Sequence, residues 1–82
     1  MDQKEVFSKA IKIVTPYVKD VKLLETATNE SRILEDLGVN SARFVDIILA
    51  FEDEFGVEID DESANKIRTL GDAVNTVIAK VM

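Results

Sequence analysis

Cysteine and histidine are both absent from this chain. Without them there is no disulfide, no thiolate or imidazole metal site, no cysteine nucleophile and no histidine-based triad, so most stand-alone catalytic chemistries are excluded together. Long hydrophobic runs are missing too: no apolar stretch approaches the ~20 residues that a membrane span needs. Met1 to Glu5 is polar and charged, with no apolar region or small-residue cleavage site after it, so no secretory signal is read and a cytoplasmic location is expected. Basic residues are in the minority, 10 against 16 acidic, which leaves a formal net charge of -6. Such a chain repels a phosphate backbone and attracts a basic protein surface, so nucleic acid is not the expected partner.

What the chain does contain is apolar residues, 46% of 82, spread along its whole length. That is enough for one compact domain, residues 1–82, near the lower end of what a single core stabilises without staples. From Asp2 to Val18, Val6, Ala10, Ile13, Val14 and Tyr17 recur at spacings of three and four, the signature of one buried helix face. Pro16, the single proline, removes an N–H donor and crowds the preceding turn, so this helix is expected to stop or kink close to Thr15. Between Asp20 and Asn40 no period is sustained, yet Leu23, Leu24, Ile33, Leu34 and Leu37 are too apolar for a free linker. The segment is expected to be strapped onto the core, with a helical turn near Ser31 to Leu37 ended by Gly38 in a left-handed conformation.

Asn40 is a good N-cap, and Ser41 through Phe55 reads as a second, strongly apolar helix ended by Gly56. Phe44, Ile48, Phe51 and Phe55 share a face, with Val45 and Ile47 beside them; Arg43, Asp46, Glu52, Asp53 and Glu54 fall on the other, mostly negative side. Asp60, Asp61 and Glu62 then place negative charge at the start of a brief third helix reaching about Lys66. Thr69 with Asp72 resembles a capping box, and Leu70, Ala73, Val74, Val77, Ile78 and Val81 continue a fourth helical stripe. The expected fold is all-α, a four-helix bundle with three longer helices and one short third helix.

The stretch Asp36-Leu37-Gly38-Val39-Asn40-Ser41, followed by a helix ending Phe51-Glu52-Asp53-Glu54-Phe55-Gly56-Val57-Glu58-Ile59, resembles the acyl carrier protein family. The resemblance spans most of the chain, since the helix-three entry Glu58 to Glu62 and Lys66-Ile67-Arg68-Thr69 also occur in family order. It implies a bundle carrying 4'-phosphopantetheine on the serine that opens helix two, by position Ser41. It further implies that a phosphopantetheinyl transferase and acyl-transferring or acyl-modifying enzymes with basic surfaces dock near Asn40, Arg43, Asp46, Glu52, Asp53 and Glu58. The bundle interior is then expected to shelter an acyl chain among Phe44, Ile48, Phe51, Phe55, Ile59 and Ile67, in a monomer serving lipid or fatty acid metabolism. With no base of its own beside Ser41, the chain is a substrate and shuttle rather than an enzyme.

Two departures from the family pattern stand out: Asp-Ser-Leu is replaced by Asn40-Ser41-Ala42, and Arg43 stands where an acidic residue is common. Both point to a specialised carrier with a dedicated partner. Taken without the resemblance, the same residues have plainer readings. Ser41 is then a helix-start residue beside a cap, the acidic strip a solvated face, and the aromatic stripe simply core. The competing function is an unmodified helical domain docking a basic protein through helix two, and a carrier of aminoacyl groups is a further variant. Ser8, Ser31 and Ser63 lack the flanking pattern, and Asp60 to Glu62 lack the ligand spacing of a calcium loop.

Overall fold

The computed structural model describes residues 2–81, and every regular element among them is helical. Helix α1 runs Gln3–Val14, α2 Ser41–Phe55, α3 Asp61–Asn65 and α4 Leu70–Val81. Two 3-10 segments, Thr15–Tyr17 and Val21–Thr26, follow α1. Helix α1 packs on α4 and α2, and α2 on α4. Val6, Ala10 and Val14 from α1, Ile47 and Phe51 from α2, and Leu70, Ala73, Val74 and Val77 from α4 are all buried. No helix among the described residues is long and apolar enough to cross a membrane.

Local chemistry sets the ends of these helices. Asp2 accepts a hydrogen bond from Glu5 N at 2.8 Å and opens α1. At the other end Pro16 sits in the 3-10 turn that continues α1, one residue past Thr15, where the sequence places the break. Asn40 opens α2 by accepting from Ala42 N at 2.8 Å, and Gly56 closes it with φ +64°, its N–H donating to Glu52 O. Helix α3 is one turn and a half and buries no residue completely. It is pinned instead through its flanks, where Ile59 and Ile67 enter the core.

Helix α4 opens on a reciprocal pair: Asp72 N donates to Thr69 Oγ1 at 3.0 Å, while Asp72 Oδ2 accepts from Thr69 N at 3.2 Å and Arg68 N at 3.0 Å. These backbone donors hold the Asp72 carboxyl below the ordinary aspartate range. A depressed folded-state pKa contributes stability that is present above the unfolded value, near 3.9, and is lost as pH falls through the folded one. Asp72→Ala is therefore expected to cost about 1–2 kcal/mol at neutral pH. The gap between variant and parent should narrow below about pH 4, as urea unfolding across pH would measure; a pH-independent gap would exclude a role for the carboxylate charge.

The long segment between α1 and α2 is strapped down, by backbone more than by side chains. Ile33 N donates to Arg68 O at 2.9 Å, Leu70 N to Ser31 O at 3.0 Å and Gly71 N to Asn29 O at 2.8 Å, which laces the segment to the entry of α4. Ile33 and Leu37 are buried and Leu24 packs against the core, but Leu23 and Leu34 are exposed. The segment is strapped to the core as expected, but two of the five residues read as too apolar for a free linker, Leu23 and Leu34, take no part in that burial. A helical turn does form from Arg32 to Leu37, where Asp36 N and Leu37 N both donate to Arg32 O, and Gly38 follows it at φ +67°. Val45 on α2 and Val81 at the end of α4 are likewise exposed rather than core.

Candidate functional site

Ser41 is the first residue of α2 and is exposed. Its position follows from two flanking devices: Gly38 turns the chain out of the preceding helical turn, and Asn40 caps the helix. Among the described residues its hydroxyl makes no hydrogen bond, and it stands at the end of a 15-residue helix where the dipole favours an anionic group. Other serines are differently placed. Ser31 Oγ accepts from Thr28 N at 2.9 Å, and Ser63 is hydrogen-bonded to Asp60, whose carboxyl it pulls below its usual range. Ser8 lies within α1, on the groove facing Ala27 to Asn29.

The acidic strip is thinner in three dimensions than in sequence. Arg43 Nη1 meets Asp46 Oδ2 at 3.1 Å, so the first turn and a half of α2 carries a neutral pair. Glu52 Oε2 accepts from Ile59 N at 2.8 Å, which fastens the α2–α3 connection and gives that carboxylate a structural task. Glu54 faces Lys9 at 3.8 Å, with the same ammonium 5.9 Å from the ring centre of Phe55. Among the described residues, Asp53 and Glu58 are the strip's acids that form neither an ion pair nor a side-chain hydrogen bond.

Along α2 between Arg43 and Asp53, two aliphatic side chains are exposed, Val45 at 60% and Leu49 at 56%. They sit one turn apart on the outward face, one and two turns beyond Ser41. The sequence reading gave them no functional part, although the signal was there: at about 100° per residue they fall opposite Ile47 and Phe51.

Two clefts begin one helical turn beyond Ser41, which lines neither of them, and Phe44 lines both. One, about 380 Å³, lies between α2 and α3, with Phe44, Ile48, Ile59 and Ala64 as its inner lining and Val45, Asp61 and Asn65 at its rim. The other, about 550 Å³, lies between the Arg32–Glu35 turn and the start of α4, with Leu34, Phe44 and Ile67 as apolar lining. Arg32, Glu35, Arg68 and Asp72 give it a charged border of no net sign. Of the six residues expected to line an acyl pocket, Phe44, Ile48, Ile59 and Ile67 therefore face these clefts. Phe51 and Phe55 line neither; they stack on each other at 5.9 Å between ring centres, Phe51 in the core and Phe55 under Lys9.

Known proteins are similar to this chain over most of its length. The family model for the phosphopantetheine attachment site matches residues 18–77. The acyl carrier protein of Thermotoga maritima is 35% identical over 79 residues, covering 96% of this chain and 95% of its own. A crystal structure of acyl carrier protein from that organism superposes with TM-score 0.80 at 36% identity, over 99% of this chain and 92% of the other. The acyl carrier protein of Enterococcus faecalis superposes with TM-score 0.76 at 34% identity, over 98% and 99% of the two chains. The chain belongs to the acyl carrier protein family, as a carrier and not an enzyme, with 4'-phosphopantetheine as its prosthetic group.

Proposed function

We propose that Ser41 is the attachment point of the phosphopantetheine arm, and that the protein delivers acyl groups to a dedicated set of cytoplasmic enzymes in a specialised lipid or secondary-metabolite pathway. The observation that carries this reading is the Ser41 hydroxyl: exposed, without a hydrogen bond among the described residues, and at the positive end of α2. A phosphodiester fits there, because helix-start N–H groups and the dipole favour its charge and nothing else claims the oxygen. When bound, the arm supplies a terminal thiol on which an acyl group is held as a thioester. The chain itself supplies the rest: Asn40 fixes the turn, Gly38 presents it, and the neighbouring clefts offer apolar surface. Among the described residues no side chain is hydrogen-bonded to the Ser41 hydroxyl to activate it, so activation belongs to the transferase and its metal ion.

The dedicated partner is inferred from charge. With Arg43 against Asp46 and Glu52 and Glu54 each engaged internally, docking beside Ser41 rests on Val45 and Leu49, with Asp53 and Glu58 further along. A partner built for a uniformly acidic helix meets a guanidinium where it offers a cation, and like charges juxtaposed at an interface cost several kcal/mol. The test is intact mass after incubation with coenzyme A, magnesium and a broad-specificity phosphopantetheinyl transferase. One added arm is expected on the parent and none on Ser41→Ala. Arg43→Asp is expected to load several-fold faster at low ionic strength, with the gain shrinking as salt rises. An arm retained in Ser41→Ala would refute the attachment point; equal loading of parent and Arg43→Asp would remove the case for a dedicated partner.

A further inference from the structure

The two clefts that begin one turn beyond Ser41 share one lining side chain, Phe44. Phe44 stands one helical turn beyond Ser41, is half-buried, and among the described residues is the one that lines both the 380 Å³ cleft between α2 and α3 and the 550 Å³ cleft at the entry of α4. Ile48, Ile59 and Ile67, at 7, 8 and 5%, are the most exposed of the buried apolar residues, and they form the floors on either side of the ring. A chain tethered at Ser41 and held between α2 and α3 would lie against Ile48 and Ile59, with the Phe44 ring shared between that cleft and the one lined by Ile67 and Leu34.

We propose that Phe44 is the wall that sets the length of acyl chain this protein can shelter, and that the cleft behind it is a second compartment closed to the cargo while the ring is in place. The inference rests on attachment of the arm at Ser41. The cargo class that follows is a short apolar acyl group, held in the first cleft, whose rim is polar only at Asp61 and Asn65. The second compartment has apolar floor but a border of two arginines and two carboxylates. Opening it lengthens the sheltered path along Ile67 without offering net charge to an ionic tail. Phe44 touches the cargo and chooses among cargoes; it takes no part in forming or breaking the thioester.

The experiment loads the full chain with a graded series of saturated acyl-phosphopantetheine arms and measures unfolding for the parent, Phe44→Ala and Phe44→Trp. Each methylene sheltered raises the folded-to-unfolded ratio by about fourfold, so stability climbs with chain length until shelter runs out. The parent is expected to level off at a short chain, Phe44→Ala at least two carbons later, and Phe44→Trp no later than the parent. A second measurement covers poor folding of the alanine variant: in the parent, the Phe44 ring resonances should shift once the chain reaches the length at which stability levels off. Levelling at one length in all three proteins, or a Phe44 ring indifferent to every chain, overturns the inference while leaving the carrier reading intact. A parent that takes up no arm at all overturns both.

Discussion

Phe51→Ala is expected to remove about 3–5 kcal/mol of stability, enough to leave the bundle barely folded. A chain of 82 residues has about 4–12 kcal/mol to lose in all. Phe51 is 1% exposed and is the largest of the fully buried side chains. Its ring lies on the face of α2 that meets α1 and α4, so truncation leaves a cavity that three helices would have to close together. Phe55→Ala is the internal control. That ring is half-buried, so its removal takes the aromatic pair, about 0.5–1.5 kcal/mol, and the Lys9 contact but opens little volume. Urea unfolding should show a large drop in midpoint for the first variant, a small one for the second, and an unchanged slope in both. A loss below about 1 kcal/mol for Phe51→Ala would mean that the core collapses onto the gap, and that α2 is less firmly keyed than its burial implies.

Helix α2 was legible in the sequence because its determinants are local. Asn40 and Gly56 mark its ends, and the capping pair Thr69–Asp72 marks the start of α4 in the same way. Segment 20–40 was legible only in part. Its helical turn and its left-handed Gly38 follow from nearby residues, but the lacing to Arg68, Leu70 and Gly71 joins backbone groups far apart in sequence, for which no side-chain pattern exists. Gly71 illustrates the point. A glycine in the first turn of a helix reads as a mild weakness, yet a Cβ there would lie 2.8 Å from Asn29 O, the oxygen its own N–H binds.

The site divides along the same line. Ser41 and its framing residues are set by sequence neighbours, so family order was enough to single them out. The electrostatics of α2 depend on which acid finds a partner, and Ile59 N and Lys9 lie outside the helix. Composition therefore overstated the acidity of the surface and concealed Val45 and Leu49. The division of the residues expected to line an acyl pocket is likewise a tertiary fact: Phe44 and Phe51 have the same hydropathy and lie seven residues apart on one helix, yet one lines a cleft and the other fills the core.

Gly38→Ala is the second substitution with a large expected cost, about 2–5 kcal/mol, and it differs in kind from Phe51→Ala. Gly38 and Gly56 hold nearly the same conformation, φ +67° and +64°, so an added methyl carries the same left-handed penalty at each, about 1–2 kcal/mol. At Gly56 that is the whole effect, since nothing lies within 4 Å of the new atom. At Gly38 the new Cβ would lie 2.6 Å from Lys19 Cβ, which cannot swing away because it is fixed to a backbone whose N–H binds Leu37 O at 3.1 Å. Either that bond breaks or the turn carrying Asn40 and Ser41 shifts. Stability should thus fall clearly more in Gly38→Ala than in Gly56→Ala, and arm loading should slow only in the former, because only Gly38 adjoins the turn that presents Ser41. Pairing Gly38→Ala with Lys19→Gly, which removes the opposing Cβ, should recover at least about 1 kcal/mol relative to the sum of the single changes. Equal losses at the two glycines would show that Lys19 yields freely, and that the presentation of Ser41 rests on the Asn40 cap alone.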